Sequence, residues 1–525
     1  MSRTVDGLTD RTVVVAGAGR AGLSAATFLA AVGARVLVAD NRFETSDDTS
    51  AADQVRAVGA RPVPMSEVIV KGPGLNGVDL VIASPGFAPT HPLMVGAAES
   101  EVPVWGEVEL AWFVDHSGAL GPARTWLVIT GTNGKTTTTS MIADIVDAAG
   151  RVGAACGNIG LPVLDALQQT PRVEVLCVEM SSFQLHWAPS VTPDVGVVLN
   201  VADDHLDWHG SFDAYAHAKA GALRGRIGVV GLDDRVAASI PVNETTTRRV
   251  GFTLAEPEAG ELGVIDGELV DRAFTDQQAP TPLASAGDIH PPGPSGVSDA
   301  LAAAALALGI GIPVPAISAA LASFRPAAHR GEVVATLAGI DFIDDSKATN
   351  PHAAQAAITA HDRVVLIAGG LLKGASVDGL VRDTRARLAG VVAIGRDRDL
   401  VIEAVARHAP EVPAVTVFTG DDGGVIVQHR AGRHSPGVSM SPVPRSAEPS
   451  VAVMDRAVAE AWRLAVSGGP GSGDSSRVDA VLLAPAAASL DMFASYGKRG
   501  EAFADAADRI VAGYASEGTD ADDLR

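Results

Sequence analysis

Two glycine-rich turns and one cluster of acids and imidazoles are the places where this sequence could do chemistry. The first turn is Gly17-x-Gly19-x-x-Gly22, set between the apolar run TVVVA and an Ala/Leu-rich stretch, with Asp40 ending the next apolar run, ARVLVAD. Such glycines allow a tight strand-to-helix turn and close approach of backbone N–H groups to a diphosphate, the outline of a dinucleotide-binding turn. The second turn lies in WLVITGTNGKTTTTSM, residues 126–141, where a strand runs into Gly131-Thr132-Asn133-Gly134-Lys135-Thr136 and a helix begins. The loop's N–H groups and the helix N-terminus would cradle phosphate oxygens. Lys135 would neutralise the β- and γ-phosphates and the Thr136 hydroxyl would ligate Mg²⁺. The longer G-x-x-x-x-G-K-[ST] pattern requires glycine at position 129, where Ile129 stands, so this is a shortened form of that loop.

A nucleotide site also needs metal ligands. Glu179 ends the strand-like VEVLCVE, and Asp203, Asp204, His205, Asp207 and His209 follow the strand-like VGVVLNV. Ligands gather at the carboxyl ends of strands in open parallel sheets. Alone, the acid/imidazole cluster would read as a solvated loop; beside a phosphate loop it reads as a metal shell completed by substrate phosphates.

These residues need strands and helices to hold them. Short apolar runs alternate with Ala-rich helical stretches in three series, the pattern of parallel α/β layers. TVVVAGAG, ARVLVAD and VDLVIASPG form the first; TWLVIT, VEVLCVE and VGVVLNV the second; DRVVLIAGG, GVVAIG, PAVTVF and DAVLLAPAA the third. The expected fold is α/β with three domains: a Rossmann-like N-terminal domain (1–122), a central P-loop ATPase-like domain (123–327) and a C-terminal Rossmann-like domain (328–525). Residues 282–300 read as loop before a helix of nearly pure Ala and Leu. Residues 421–449 and 467–477, rich in Gly, Ser and Pro, read as surface loops.

Composition narrows the function. With 40 basic against 62 acidic residues and a formal charge of −22, a nucleic-acid surface is disfavoured. No uninterrupted apolar run reaches the ~18 residues of a membrane span, and MSRTVDGLTD lacks the apolar core of a signal peptide. The expected location is the cytoplasm. Cys156 and Cys177 form no disulfide framework and are expected as reduced, buried thiols.

Eight motifs occur in one order along the chain: GTNGKTTT, GNIGLP (157–162), EMSSFQL (179–185), NVADDHLDWHGSFDAYAHAK (200–219), HRGE (329–332), DDSKATNP (344–351), LAPAAASLDMF (483–493) and YGKRGEAF (496–503). In these the chain resembles the Mur ligases over nearly its whole length, and DSKATN with ASLDMF favours the D-glutamate-adding branch. The resemblance implies an ATP-dependent ligase that converts the terminal L-alanine carboxylate of UDP-N-acetylmuramoyl-L-alanine to an acyl phosphate. The amine of D-glutamate then attacks it, in peptidoglycan precursor synthesis. It assigns catalytic roles to Lys135, Glu179, His205 and Lys219. ATP contacts fall to Gly131, Thr132, Asn133, Gly134, Lys135, Thr136, Thr137, Arg330 and Asp345. Of two Mg²⁺ ions, Thr136 and Glu179 would serve one, and His205 and a carbamylated Lys219 the other. The UDP-substrate would be held by Gly19, Arg20, Asp40, Asn41, Gly86, Asn158, Ser181 and Gln184, and D-glutamate by Lys347, Thr349, Lys373, Ser489, Leu490 and Tyr496. The resemblance thus turns the first glycine loop from a dinucleotide to the UDP group. No nucleic-acid partner is expected of so acidic a chain, and a monomer is expected.

Some roles stay open at this level. Asn158, Ser181 and Gln184 would equally serve capping or turn hydrogen bonds, and Ser489 would equally be a helix N-cap before LDMFASYGKRG. The family's H-N-x-x-N pattern is absent; Ser295, Gly296 and Asp299 stand there, so no adenine contacts are assigned. A folylpolyglutamate-synthetase-type enzyme would share the central loop without a first glycine-turn domain. A diamino-acid-adding Mur ligase would show D-N-P-R, which is absent. An NAD-dependent dehydrogenase fits the opening turn but leaves Lys135, Glu179 and the His205 cluster without work, and a non-catalytic binding protein needs no metal cluster.

Overall fold

The computed structural model describes residues 5, 7–45, 49–69, 75, 77–241, 248–275, 279–420, 423–429, 438–441, 448–467 and 477–516. The chain divides into two compact units, residues 1–289 with 296–324, and residues 290–295 with 325–525. The first holds two sheets and the second holds one.

The N-terminal sheet contains β1 (Thr12–Ala16), β2 (Arg35–Asp40), β3 (Arg61–Pro64), β4 (Leu80–Ala83) and β5 (Val104–Gly106) in the order β3-β2-β1-β4-β5. All pairings are parallel. The chain turns from one side of β1 to the other, so the crevice for a ligand opens at the end of β1, where Gly17–Gly22 lies. Val13, Val14, Val15 and Ala16 have no exposed surface, as expected of a strand covered on both faces.

The central sheet contains β6 (Thr125–Thr130), β7 (Gly153–Gly157), β8 (Val175–Glu179), β9 (Val195–Val198), β10 (Ile227–Gly231), β11 (Arg248–Phe252), β12 (Glu261–Ile265), β13 (Glu268–Asp271) and β14 (Thr281–Ser285). Its order is β14-β13-β12-β11-β10-β9-β6-β8-β7, with β6 flanked by β8 and β9 in parallel register. The Gly131–Thr136 loop therefore leaves β6 at a second switch point. Under this sheet the Pro294–Gly309 helix is buried almost all round, Ala300 through Ala307 showing no exposed surface. A helix with no polar stripe belongs in a core.

The third sheet contains β15 (Glu332–Leu337), β16 (Ile340–Asp344), β17 (Val364–Gly369), β18 (Leu388–Ile394), β19 (Ala414–Thr419), β20 (Val425–His429), β21 (Val438–Ser441) and β22 (Ala480–Leu483). Its order is β15-β16-β22-β17-β18-β19-β20-β21, parallel from β16 to β19 and antiparallel at both edges.

Three loop expectations need correction or limits. Within 421–449, residues 425–429 and 438–441 are strands that extend the third sheet; 421–422, 430–437 and 442–447 lie outside the described residues. Within 282–300, residues 281–285 form β14 and the helix starts at Pro294. Of 467–477, residues 468–476 lie outside the described residues. Cys156 and Cys177 are free and buried, as expected, and burial pushes both thiols up.

Candidate functional site

The phosphate loop is built as its spacing requires. Gly134 sits at φ +84°, a left-handed turn that brings the chain into the Lys135–Ala148 helix. Asn200, just past β9, braces the loop. Its side-chain oxygen accepts the N–H groups of Thr132 and Asn133 at 3.1 and 2.9 Å, and its amide donates to the Asn133 carbonyl at 3.2 Å. Thr132 Oγ1 lies 2.9 Å from the Tyr215 hydroxyl. Thr137, like Thr132, is buried.

Two amines converge beneath the loop on one carbonyl. Lys135 Nζ donates to Gly131 O and Thr132 O, both at 2.9 Å, and Lys219 Nζ donates to Gly131 O at 2.6 Å. Lys219 lies on the Phe212–Ala220 helix, is 2% exposed, and stands 4.7 Å over the Tyr215 ring four residues earlier on the same helical face. Burial, and then the neighbouring Lys135 charge, push its amine well below the usual lysine range; Asp204 and Glu179 pull it back only in part. A neutral amine is the nucleophilic form of lysine.

Beside the amines a hydroxyl and a carboxylate meet. Thr136 Oγ1 donates to Glu179 Oε2 at 2.8 Å, and Asn158 Nδ2 donates to Glu179 Oε1 at 2.7 Å. Glu179, the last residue of β8, is 1% exposed. These hard oxygen donors fit Mg²⁺, which keeps several places for water or substrate phosphate. Among the described residues no group of three or more His, Cys, Asp or Glu side chains is gathered to hold a metal by itself. His205 turns at φ +53° with its Nε2 3.5 Å from Asp204 Oδ2 and its ring 4.7 Å from Phe183. Asp203 is exposed, His209 Nε2 meets Ser182 Oγ at 2.8 Å, and the Asp207 side chain lies outside the described set. Behind the Lys219 helix, on its opposite face, Pro89, His186, Trp208, Asp213, His217 and Arg224 help line a cavity of ≈ 640 Å³.

Ser181 and Gln184 form a reciprocal capping box, Ser181 Oγ accepting the Gln184 N–H at 3.2 Å and Gln184 Oε1 accepting the Ser181 N–H at 2.9 Å. The capping role is thus present, as one of the two readings required. On the N-terminal sheet, Gly19 stands just before the Arg20–Ala31 helix. Arg20 Nη2 donates to Gly160 O at 2.6 Å, joining the first glycine turn to the GNIGLP segment. Asp40 accepts the Ala18 N–H at 2.8 Å and both Arg42 N–H and guanidinium at 2.9–3.0 Å. Burial raises its carboxyl, but the Arg42 side chain and the Ala18 and Arg42 N–H groups outweigh that and hold it at about 2. Asn41 and Gly86 are exposed.

In the second unit the assigned residues lie at the ends of β16, β17 and β22. Asp345 follows β16; burial raises its carboxyl to about 7 against the opposing charge of Arg330. Lys347 Nζ sits 4.1 Å over the Tyr496 ring, and the Thr349 N–H donates to Lys347 O at 2.8 Å. Ala486 N–H donates to Ala348 O, and Leu371 and Ala488 exchange both backbone bonds. These links lace the segments carrying Thr349, Lys373 and Ser489. Lys373 is exposed at φ +51°, Ser489 is buried, and Leu490 is 66% exposed. Ser489 is not a helix cap. Its carbonyl closes a turn to Met492 and Phe493, and the last helix starts at Tyr496, where Ser495 Oγ accepts the Lys498 N–H at 3.2 Å.

Asn200, Tyr215 and Asp299 were not singled out as site residues from sequence. Tyr215 was findable from its four-residue spacing to Lys219; Asp299, whose carboxylate accepts from Thr138 Oγ1 at 3.0 Å, is 161 residues from that partner and was marked only by its place where the family's H-N-x-x-N pattern is absent.

Residues 129–306 match the Mur ligase middle domain and residues 11–106 the MurD-like Mur ligase N-terminal domain. The chain is 52% identical over 509 residues to the UDP-N-acetylmuramoylalanine–D-glutamate ligase of Rhodococcus jostii (strain RHA1), covering 97% of each chain. The chain belongs to the Mur ligase family. It is therefore a ligase of the ATP-dependent, amide-bond-forming type. The ligase of that same name from Mycolicibacterium smegmatis (strain ATCC 700084 / mc(2)155) is 52% identical over 500 residues, covering 94% of this chain and 95% of the relative. A pseudomurein peptide ligase type C from Methanothermus fervidus shares the fold, with a TM-score of 0.50 at 16% identity over 95% of this chain and all of that one. Among the described residues no helix is long and apolar enough to cross a membrane.

Proposed function

We propose that this Mur ligase joins D-glutamate to UDP-N-acetylmuramoyl-L-alanine, the reaction named for its relatives of about half identity. The observation that carries the chemistry is the convergence of Lys135 and Lys219 on Gly131 O beside the Thr136–Glu179–Asn158 chain. Bringing a substrate carboxylate to the γ-phosphate of ATP sets two anions against each other, and Lys135 with bound Mg²⁺ would screen both.

In this reading Gly131–Thr137 hold the ATP phosphates, with Lys135 over the transferred group, and Arg330 and Asp345 take phosphate and ribose. Thr136 and Glu179 would hold one Mg²⁺, and His205 with Lys219 the second. Bound Mg²⁺ supplies electrostatic screening of the reacting oxygens. Lys219 enters as its carbamate: its amine nitrogen, in the uncharged form that burial favours, attacks CO₂ and releases a proton to solvent, so that a carboxylate-like anion stands at the end of the side chain. Gly19, Arg20, Asp40, Asn41 and Gly86 line the UDP end. Asn158, Ser181 and Gln184 meet the muramoyl end, the last two held rigid by their capping box. Lys347, Thr349, Lys373, Ser489, Leu490 and Tyr496 receive D-glutamate, cation and hydroxyl donors answering its two carboxylates. Once the acyl phosphate forms, the D-glutamate nitrogen attacks its carbonyl carbon, the C–O bond to phosphate breaks, and the amine proton leaves to solvent or a nearby base.

The test is phosphate release from ATP with substrates omitted in turn. Release only when UDP-N-acetylmuramoyl-L-alanine and D-glutamate are both present is expected. Equal turnover with L-glutamate, or with a longer peptide precursor, would overturn the assignment.

A further inference from the structure

His329 is tied at its backbone N–H, its carbonyl and its ring Nδ1. Its N–H donates to Glu332 Oε2 at 3.1 Å, its carbonyl accepts the Lys347 N–H at 3.2 Å, and its Nδ1 lies 2.6 Å from Asp344 Oδ2. Its backbone is at φ +66°, a conformation that costs a non-glycine residue and persists only where the surroundings fix it. Asp344, at the end of β16, has no exposed surface, and its other oxygen accepts the Ser346 N–H at 2.9 Å.

The same network reaches the last helix. Ser346 Oγ donates to the Tyr496 carbonyl at 2.8 Å and accepts Arg499 Nε at 2.9 Å. Arg499, 1% exposed, also donates to Ser346 O at 2.8 Å and Ala487 O at 3.0 Å. Gly500 makes room: a Cβ there would lie 2.2 Å from His329 Nδ1 and 2.5 Å from Asp344 Oδ2. No side chain larger than hydrogen lets the helix pass the pair undisturbed.

Network and site residues alternate along the chain. His329 precedes Arg330, Asp344 precedes Asp345, and Ser346 precedes Lys347. Arg330, Asp345 and Lys347, assigned to the nucleotide or the incoming amino acid, are thus each one peptide bond from a residue locked in the network. We propose that His329 is a positioning residue. Through Asp344, Ser346 and Arg499 it fixes the backbone from which Arg330 and Asp345 reach the nucleotide and Lys347 the incoming amino acid. The inference rests on the nucleotide role given above to Arg330 and Asp345. Misplacing such groups by about an ångström can cost ~10²-fold in rate.

The test compares KM for ATP, kcat and KM for the UDP-substrate in the full chain. His329→Ala is expected to raise KM for ATP at least about tenfold and lower kcat, with KM for the UDP-substrate within about twofold. His329→Gly, which removes the backbone cost, is expected to do the same, placing the effect in the ring. His329→Asn is expected to recover most of the loss, because its amide can donate to Asp344 and asparagine tolerates positive φ. Gly500→Ala, which keeps both partners but drives them apart, is expected to reproduce the alanine phenotype and serves if His329→Ala fails to fold. Arg330→Ala is the control for the underlying reading: it must itself raise KM for ATP. Normal ATP kinetics in His329→Gly and Gly500→Ala, with Arg330→Ala impaired, would overturn the positioning role alone. Normal kinetics in Arg330→Ala would overturn the nucleotide assignment and the positioning role with it.

Discussion

Replacing Gly134 by alanine places a measurable load on the phosphate loop. At φ +84° a side chain costs about 1–2 kcal/mol in backbone strain. The new Cβ would also lie 2.2 Å from Asp299 Oδ1 and 3.1 Å from both Asp299 Cγ and Leu199 Cδ1. Asp299 is 7% exposed and bonded to Thr138, so it has little room to swing away. Overpacking of this kind costs about 1–3 kcal/mol, while the stiffer unfolded chain returns about 0.4–1 kcal/mol. The expected net loss is about 3 kcal/mol. Urea unfolding followed by tryptophan emission reads it well. Trp105, Trp112, Trp126, Trp187 and Trp208 share the loop's unit, and only Trp462 lies in the other. Asp299→Ala alone should cost about 1 kcal/mol through the lost Thr138 bond. In the double variant the overlap disappears, so the combined loss should fall short of the sum by about 1–3 kcal/mol, leaving the φ penalty. Additivity within about 0.5 kcal/mol would refute the overlap and leave backbone strain as the whole effect.

Three further outcomes are expected. Glu179→Gln keeps the shape of the Thr136 and Asn158 contacts but removes the charge; turnover should fall about 10²–10³-fold and demand more Mg²⁺, and an unchanged Mg²⁺ titration would count against the metal role. Lys219→Ala should be nearly inactive yet partly restored by acetate or formate, and absence of rescue in a folded protein would argue against the carbamate. Asp40→Asn should be less stable than the parent by about 1 kcal/mol at neutral pH, because the folded carboxyl sits at about 2 against an ordinary 3.8 and solvent screens part of that difference. That contribution is complete above pH ~4 and disappears as the pH falls through ~2, so a stability gap that persists at pH 2 would rule it out.

Much of the candidate site is legible in the sequence. Gly134, Lys135 and Thr136 carry their meaning in their spacing, because a strand, a left-handed glycine and a helix start are local events. Lys219 was legible only through resemblance; its own sequence, AYAHAKAGALRGR, reads as an exposed helical lysine, whereas it is 2% exposed. Burial of that amine is decided by β6 and Gly131, 88 residues away. The β20–β21 extension was hidden by its Gly/Ser/Pro-rich surroundings, although the short run Val425-Ile426-Val427 is strand-like and places Val425 and Val427 in the core. Ser489 failed as a cap because Ser495, six residues on, is better placed at the start of the last helix.

The sequence by itself determined the α/β layering, the two glycine turns and the order of motifs, since each depends on periodicity or turn chemistry within a few residues. Tertiary structure decided which polar groups meet: Thr136 with Glu179, Lys135 with Lys219, Thr138 with Asp299, His329 with Asp344 and Arg499 with Ser346. These pairings join residues from different strands and helices, and no local signal specifies them. They follow from sheet order, which brings distant strand ends to one edge, and from burial, which obliges each polar group there to find a partner.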